Sequence, residues 1–145
     1  MLRAMEEQDI SLLSEKLQDL SSEDQKWFHP HPYTEDALQK LLTEKGNYFF
    51  VFEHQGKLAG YSLLRTFNKY PIPTYGGVIW EQYRGKGLGT ELLVETLLQA
   101  KKLGFSKVKL RVYEENKTAF KLYKHHGFKL LEQEDGQWWM QKTLD

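Results

Sequence analysis

The chain of 145 residues contains no cysteine. This absence excludes disulfide bonds, thiolate catalysis and zinc sites with cysteine ligands. Five histidines are present, and no pair of them has the H-E-x-x-H spacing of a helical zinc site. We therefore expect no metal in this protein.

The sequence also lacks an excess of positive or negative charge, and it lacks long apolar runs. Lys and Arg number 20 and Asp and Glu number 20, so no overall field attracts nucleic acid or an anionic membrane. No segment approaches the ~20 apolar residues of a membrane span. The N-terminal "MLRAMEEQDISLL" carries acids where a signal peptide is apolar. We expect one soluble, cytoplasmic domain over residues 1–145, with neither nucleic acid nor membrane as a partner.

Helical periodicity dominates the first part of the chain. "MLRAM" is a candidate strand, and apolar residues recur at helical spacing from Asp9 to about Leu20. The stretch "FHPHPY", Phe28 to Tyr33, is predicted to be a loop, because its two prolines break both a helix and a strand ladder. A second helix is predicted after Thr34 and ends near Gly46.

The period then changes to that of β-strands. "NYFFVFEH" and "LAGYSLLRTF" predict a hairpin, "NKYPIPT" a loop, and Tyr75 to Gln82 a third strand. An amphipathic helix then runs to Gly104, and "KVKLRVY" alternates as a strand. Asn116 caps a helix through His126, and "FKLLEQ" and "WWMQKTL" predict a closing hairpin. This order indicates an α/β fold whose mixed sheet is antiparallel early and parallel at the strand–helix–strand crossover.

The stretch "EQYRGKGLGT", residues 81–90, carries three alternate glycines before the amphipathic helix. Its spacing fits neither the dinucleotide-binding G-x-G-x-x-G nor a phosphate-binding P-loop. A glycine-rich loop that exposes backbone N–H groups at a helix N-terminus is a general anion site, to which Arg84 and Lys86 add charge. The alternative is a merely flexible turn. Three glycines at these positions favour a phosphate-bearing ligand.

Two segments resemble one known family. "RGKGLG", Arg84 to Gly89, is similar to the R/Q-x-x-G-x-G/A signature of the GNAT superfamily of acetyl-CoA-dependent N-acetyltransferases. "VYEENKTAFKLYKHHGFK", Val112 to Lys129, resembles the second conserved segment of that family. The resemblance implies a GNAT-like sheet of about six or seven strands with a splayed parallel pair, Tyr75–Gln82 and Lys107–Tyr113, and about four flanking helices.

The resemblance also implies roles for particular residues. Main-chain amides near Ile79 would polarise the thioester carbonyl, Asn116 would meet the pantetheine arm, and Tyr123 would be the general acid. The coenzyme A pyrophosphate would lie on the backbone of Arg84, Gly85, Lys86, Gly87, Leu88, Gly89 and Thr90. Acetyl-CoA would be the co-substrate, attacked directly by a bound amine.

Each of these roles has an alternative interpretation. By periodicity alone Tyr123 is a core aromatic residue, although a phenol can protonate a leaving thiolate. Asn116 is also a plain helix N-cap. For the general base the candidates are Glu81 and the loop histidines His29 and His31, since histidine titrates near neutrality. The alternative for His-Pro-His-Pro is a rigid surface turn.

The acceptor is the least determined part of the hypothesis. Aromatic residues are expected to border its mouth: Trp27, Phe28, Tyr33, Phe67, Tyr70 and Tyr75. We favour a small-molecule amine, an amino sugar among the options, over a protein amine. The alternative class is a non-catalytic domain that binds coenzyme A or another nucleotide as a sensor, or a plain interaction module. "WWMQKTL" is either the exposed edge of a homodimer or a paired strand.

Overall fold

The computed structural model of the protein describes residues 1–66 and 71–145. In these residues seven strands form one sheet: β1 Leu2–Ala4, β2 Asn47–His54, β3 Lys57–Arg65, β4 Thr74–Ile79, β5 Lys107–Tyr113, β6 Lys129–Glu134 and β7 Gln137–Thr143. Five α-helices accompany them: α1 Ile10–Gln18, α2 Ser22–Trp27, α3 Glu35–Leu41, α4 Leu88–Lys102 and α5 Lys117–His125.

The strands lie in the order β1-β2-β3-β4-β5-β7-β6. All neighbours are antiparallel except β4 and β5, which are parallel and joined through α4. The predicted mixed sheet, antiparallel first and parallel at the crossover, is therefore confirmed. Of the predicted loop "NKYPIPT", residues 68–70 lie outside the described residues, as do the aromatic residues Phe67 and Tyr70.

Alternation along the strands divides the apolar side chains between two cores. One core lies between the sheet and helices α1 to α3, and its innermost side chains are Leu13, Leu17, Leu38, Val51 and Tyr61. The other lies on the opposite face under α4 and α5, and it includes Leu64, Leu93, Val108, Leu110 and Met140. Residues of even and odd number on one strand therefore face different helices.

Two predicted elements end several residues early, and one helix is additional. The third strand ends at Ile79 rather than at Gln82, because the chain turns away in a single 3₁₀ turn, Glu81–Tyr83, in which the Tyr83 N–H donates to Trp80 O at 2.9 Å; the Trp80 N–H still donates to Ala59 O on β3 at 2.9 Å. Helix α3 ends at Leu41, well before Gly46. Helix α2, which the sequence pattern did not predict, makes the described helices five rather than about four.

The closing hairpin lies at one side of the sheet. Its strand β7 pairs with β5 on one side and with β6 on the other, so "WWMQKTL" is a paired strand and not an edge. The free edge at this side is β6, whose six residues are all exposed. The expectation of a homodimer edge at "WWMQKTL" is therefore wrong, and a homodimer by another surface stays a prediction.

Strands β4 and β5 separate almost as soon as they meet. Their one ladder pair is Thr74 with Lys109, where the Lys109 N–H donates to Pro73 O at 3.0 Å. Beyond this point no ladder connects the two strands, and a gap opens toward their C-terminal ends. The expected splayed parallel pair is thus present. Among the described residues no helix is both long and apolar enough to span a bilayer.

Candidate active site

The glycine loop, residues 84–90, connects the 3₁₀ turn to the first turn of α4. Gly85 and Gly87 have φ of 80° and 79°, a conformation that side-chain-bearing residues rarely adopt. Gly89 has no such φ, and a Cβ built on it meets nothing within 4 Å. The protein itself therefore requires the first two glycines but not the third. A missing side chain at Gly89 leaves the backbone open to a ligand.

Most backbone amides of the glycine loop have no acceptor among the residues that the structure describes. The Arg84 N–H donates to Glu81 O at 3.1 Å, and the Glu91 N–H donates to Gly87 O at 3.2 Å. Between them, the amides of residues 85–90 donate to none of the described residues. Helix N-termini leave such donors unpaired and carry the positive end of the helix dipole, so this loop is suited to hold an anion.

The Arg84 side chain is already engaged by the protein. Its Nε donates to Ile79 O at 2.9 Å, and its two terminal nitrogens donate to the Asp24 carboxylate at 3.2 and 3.1 Å. The expectation that Arg84 offers its guanidinium to the ligand is therefore corrected. The backbone is the free part of this loop, with the exposed Lys86 as the remaining cation, 5.8 Å from the Tyr83 ring centroid.

A cleft of about 460 Å³ extends from the glycine loop into the gap between β4 and β5. Its walls come from both faces of the sheet. On the α4 and α5 face they include Tyr75, Leu92, Asn116 and Tyr123, and on the other face they include Asp24, Trp27, Phe28, Arg111 and Tyr113. The cleft therefore passes through the sheet where the two parallel strands separate.

Tyr123 lies in this cleft on α5. Its ring makes edge contacts with Tyr75 and Phe128, at centroid distances of 6.2 and 5.8 Å. Its hydroxyl makes no hydrogen bond with any described residue, and burial raises the pKa of Tyr123 to about 12. The phenol is thus protonated at neutral pH and free to donate. Burial, with Tyr123 as a smaller cause, also raises the pKa of Tyr75 well above its ordinary value.

Two more expected cofactor residues line the cleft. Because the Trp80 N–H donates toward β3, alternation places the amide of Ile79 on the opposite side, facing the gap to β5. Asn116 caps α5, accepting the Ala119 N–H on its Oδ1 at 3.4 Å, and it borders the cleft as well. Asn116 therefore caps the helix and also lines the cleft, while its contact with the pantetheine arm stays a prediction.

Gly77 is a point of close approach on β4. A Cβ at this position would collide with the Tyr75 hydroxyl, which lies over the glycine. Both residues line the cleft on the α4 side. Glycine at position 77 therefore leaves room for the Tyr75 side chain to lie along its own strand.

The structure does not bring His31 into the cleft. Its imidazole is 6% exposed and packs edge-on against Tyr33, Phe49 and Tyr61. Nδ1 lies 2.7 Å from Pro32 O, so it carries the proton, and Nε2 accepts from the Tyr61 hydroxyl at 2.9 Å. Burial lowers the pKa of His31 below 6.5. The expectation of a catalytic His31 is therefore replaced by a structural role.

The other two candidates for a base lie outside the cleft walls. His29 is exposed and its ring contacts Tyr33. Glu81 is exposed at the start of the 3₁₀ turn, directly after the β4 strand end. Its part as a base stays a prediction. In residues 1–66 and 71–145 no three acidic or histidine side chains are grouped as metal ligands.

Sequence reasoning named Trp27 and Phe28, which line the cleft on the face of the sheet toward α2, but it missed Asp24, Arg111 and Tyr113 on the same face. Asp24 belongs to the unpredicted helix α2, and no motif marks it. Arg111 and Tyr113 could have been found, because alternation in "KVKLRVY" places them on the face opposite to Val108 and Leu110.

A sequence profile described as "Acetyltransferase (GNAT) family" matches residues 14–128, most of the chain. The protein belongs to the GNAT acetyltransferase family. YwnH of Bacillus subtilis (strain 168), named as a phosphinothricin acetyltransferase, is 30% identical over 109 residues, 71% of this chain and 59% of its own length. Spermine/spermidine N(1)-acetyltransferase of the same organism is 31% identical over 84 residues, 52% of this chain and 55% of the relative. The matches thus span little more than half the length of these relatives.

Solved structures share the fold over nearly the whole chain. A GNAT-family acetyltransferase from Streptococcus pneumoniae superposes with a TM-score of 0.80 at 24% identity, covering 99% of both chains. PaiA N-acetyltransferase from Thermoplasma acidophilum, solved with coenzyme A, has a TM-score of 0.79 at 19% identity, covering 99% of this chain and 98% of that one. At these identities the likeness shows the fold.

Proposed function

We propose that the protein is an acetyltransferase that moves an acetyl group from acetyl-CoA to the primary amine of a small molecule. One observation carries the proposal: the unpaired amides of residues 85–90 open into a cleft that continues between β4 and β5 to Tyr123. Family membership supports the acetyl-CoA part. Acceptor identity and a cytoplasmic place of action stay predictions.

The chain offers matched groups for each part of the donor. The amides of residues 85–90 and the dipole of α4 suit a diphosphate. The edges of β4 and β5 that face the gap lack ladder partners beyond Thr74, so their amides and carbonyls suit an extended arm that carries amide groups of its own. Leu92, Ala119 and Leu122 supply apolar walls around that arm.

The same residues suit acyl transfer. A neutral amine nitrogen forms a bond to the thioester carbonyl carbon as the carbon–sulfur bond breaks. The Ile79 amide, which faces the gap, is placed to stabilise negative charge on the carbonyl oxygen. Tyr123 donates its phenolic proton to the departing sulfur, and the proton lost by the acylated nitrogen restores the phenol through water. A leaving thiolate in the same buried cleft also has a raised pKa, which brings it closer to that of Tyr123.

No cleft wall in the described residues supplies a free base. The one carboxylate there, Asp24, is held by Arg84. The amine then either binds neutral or loses its proton through water toward a group at the cleft mouth, for which Glu81 is the predicted candidate. Positioning of the two substrates supplies most of the rate in either case.

Replacing Tyr123 by Phe tests the proposal. We expect kcat to fall by about a hundredfold or more, because general acid catalysis contributes that much. Coenzyme A affinity and melting temperature should stay at the parent values. Since the pKa of Tyr123 is about 12, the parent should show no alkaline loss of activity from this group below about pH 10.

A thiol-release assay with acetyl-CoA and an amine panel, including amino sugars and a peptide with a free N-terminus, provides the measurement. If no amine is acetylated while acetyl-CoA binds, the sensor alternative replaces the enzyme. If the peptide is the preferred acceptor, the small-molecule assignment is wrong. Equal kcat for the parent and Tyr123→Phe would remove Tyr123 from the chemistry.

A further inference from the structure

The two ends of the cleft differ in their chemistry. Strand alternation places Tyr75 and Val112 on the α4 side, where the glycine loop receives the donor. Arg111 and Tyr113 lie on the opposite side of β5, facing helix α2 with its wall residue Trp27. If the donor occupies the α4 side, as the proposed function requires, the amine reaches the gap from the α2 side. The α2 side is therefore the acceptor half of the cleft.

Arg111 is the principal charged group of the acceptor half. Its guanidinium carbon lies 5.2 Å from the centroid of Trp139, which is its cross-strand partner on β7. This stacking holds the planar group in place. Its N–H donors make no hydrogen bond or ion pair with any of the described residues. A guanidinium that is held in position while its donors are unused is suited to bind an oxyanion with two parallel hydrogen bonds.

The charged groups near Arg111 do not neutralise its positive charge. Asp24, the one carboxylate in the cleft wall, already accepts two hydrogen bonds from Arg84. Lys26 pairs loosely with Glu115 at 3.8 Å, so these two balance each other. The indole N–H of Trp27 is a further donor that is buried and without an acceptor among the described residues. The acceptor half thus offers donors and positive charge.

We propose that the acceptor amine carries an anionic oxygen group, a carboxylate or a phosphorus oxyanion, and that Arg111 binds this group. The proposal rests on the acetyltransferase function proposed above. A polyamine, by contrast, carries only positive charge. The unpaired charged group of the acceptor half, Arg111, is also positive and would repel it. Arg111 is then the residue that distinguishes zwitterionic amines from polycations.

The experiment compares an acceptor that carries an anion with its neutral counterpart and with a polycation. Thiol release from acetyl-CoA is measured with an α-amino acid, with the amide of the same amino acid, and with spermidine. A panel of acidic, apolar and phosphinate-bearing amino acids covers the unknown side chain. We expect the free amino acid to have a kcat/KM about tenfold or more above that of its amide, and spermidine to be the poorest acceptor.

Arg111→Gln should remove the preference. We expect the KM for the anionic acceptor to rise about tenfold, with kcat, the KM for acetyl-CoA and the amide kinetics unchanged. Lys107→Gln is the matched control, since it removes an exposed cation from the same strand and face outside the cleft. Arg111→Lys keeps the positive charge but loses the planar pair of N–H donors. It should recover part of the affinity for the anionic acceptor that Arg111→Gln loses.

The outcomes separate the two proposals. Turnover of amides or spermidine in preference to amino acids overturns the anion proposal and leaves the acetyltransferase standing. An equal effect of Arg111→Gln on all acceptors, or a raised KM for acetyl-CoA, also overturns it. If neither the parent nor any variant turns over an acceptor, although all of them are folded and have similar melting temperatures, the result counts against the proposed acetyltransferase function itself.

Discussion

Gly89 is a glycine that the fold does not need. It lies in the first turn of α4, has no positive φ, and has open space where a Cβ would stand. Gly89→Ala should therefore raise the free energy of unfolding by roughly 0.5 kcal/mol, because alanine favours a helix. The same methyl group should weaken coenzyme A binding by about tenfold, because it obstructs approach to the amides.

Gly87→Ala is the matched comparison for this prediction. Gly87 has a φ of 79°, so its replacement should cost roughly 1 kcal/mol of stability. Thermal denaturation and calorimetric titration with coenzyme A measure both quantities. Unchanged coenzyme A affinity in Gly89→Ala would show that the ligand does not approach this backbone.

His31 links stability to pH. Its pKa in the folded protein is lowered by burial, so the unfolded chain binds a proton more readily. The stabilising contribution is complete above the unfolded pKa of about 6.5 and is lost as the pH falls toward the folded value. Unfolding free energy should decline between pH 7 and pH 5, and His31→Gln should show a shallower decline.

His29→Gln serves as the control, because it removes an exposed imidazole two residues away. Denaturant unfolding at several pH values measures each slope. If His31→Gln does not fold, the ring proton signals of His31 in the parent, followed against pH, give its pKa directly. A His31 that titrates above 6.5 would contradict the prediction.

Residue positions were predictable where a local motif marks them, whereas the roles of these residues stay predictions. Asn116 and the glycines are recognised from spacing within a few residues, and the structure places them where the motif indicates. His31 could not be read in this way. Its hydrogen-bond partner Tyr61 is 30 positions along the chain, and burial of the ring depends on a strand that packs against it.

At the scale of elements, one ion pair connects α2 to the glycine loop. Asp24 and Arg84 have side chains 12% and 41% exposed, so the pair should contribute less than about 1 kcal/mol to stability. Asp24→Asn should therefore lower the melting temperature only slightly. It should also raise coenzyme A affinity, since it frees the Arg84 guanidinium for the diphosphate.

Glu23→Gln is a control with the same loss of charge, because Glu23 is an exposed neighbour on α2. Calorimetric titration at two salt concentrations measures the affinities. Equal affinities for Asp24→Asn and Glu23→Gln would show that Arg84 remains bound elsewhere in the protein and does not reach the ligand.

Elements with strong periodicity were predictable, and those set by tertiary contacts were not. Helix α4 repeats leucine on one face and was predicted within two residues of its observed end. Helix α2, "SEDQKW", has one large apolar residue and depends on its Ser21 cap, which accepts the Asp24 N–H at 3.1 Å. The early end of β4 similarly follows from the 3₁₀ turn Glu81–Tyr83, which the strand-like pattern of Tyr75 to Gln82 did not predict.

At the scale of the whole molecule, the two halves of the sheet share a single ladder pair, Thr74 with Lys109. A donor arm between β4 and β5 would complete the sheet. Acetyl-CoA at a hundred times its Kd should add about 2.7 kcal/mol to the stability of the folded state. Hydrogen exchange of the gap-facing amides at Gly77 and Ile79 should slow on binding.

Differential scanning fluorimetry and hydrogen-exchange mass spectrometry make the two measurements, with adenosine diphosphate as a ligand that lacks the arm. A rise in melting temperature without protection of β4 would place the cofactor outside the gap. The antiparallel and parallel parts of the sheet were predictable from the succession of elements, whereas the place of β7 between β5 and β6 was left open. The gap was not predictable by periodicity, because it depends on where two strands distant in sequence separate.

The cleft between β4 and β5 passes through the sheet, so the two proposed substrates have separate entrances to it. Under the proposed function the donor enters from the α4 side and the acceptor from the α2 side, so both substrates can be bound at the same time. Catalysis then needs no acylated enzyme to carry the group across. The proposed acceptor side, built from α2 and the outer face of β5, can also vary in sequence without changing the glycine loop, except at Asp24, which binds Arg84.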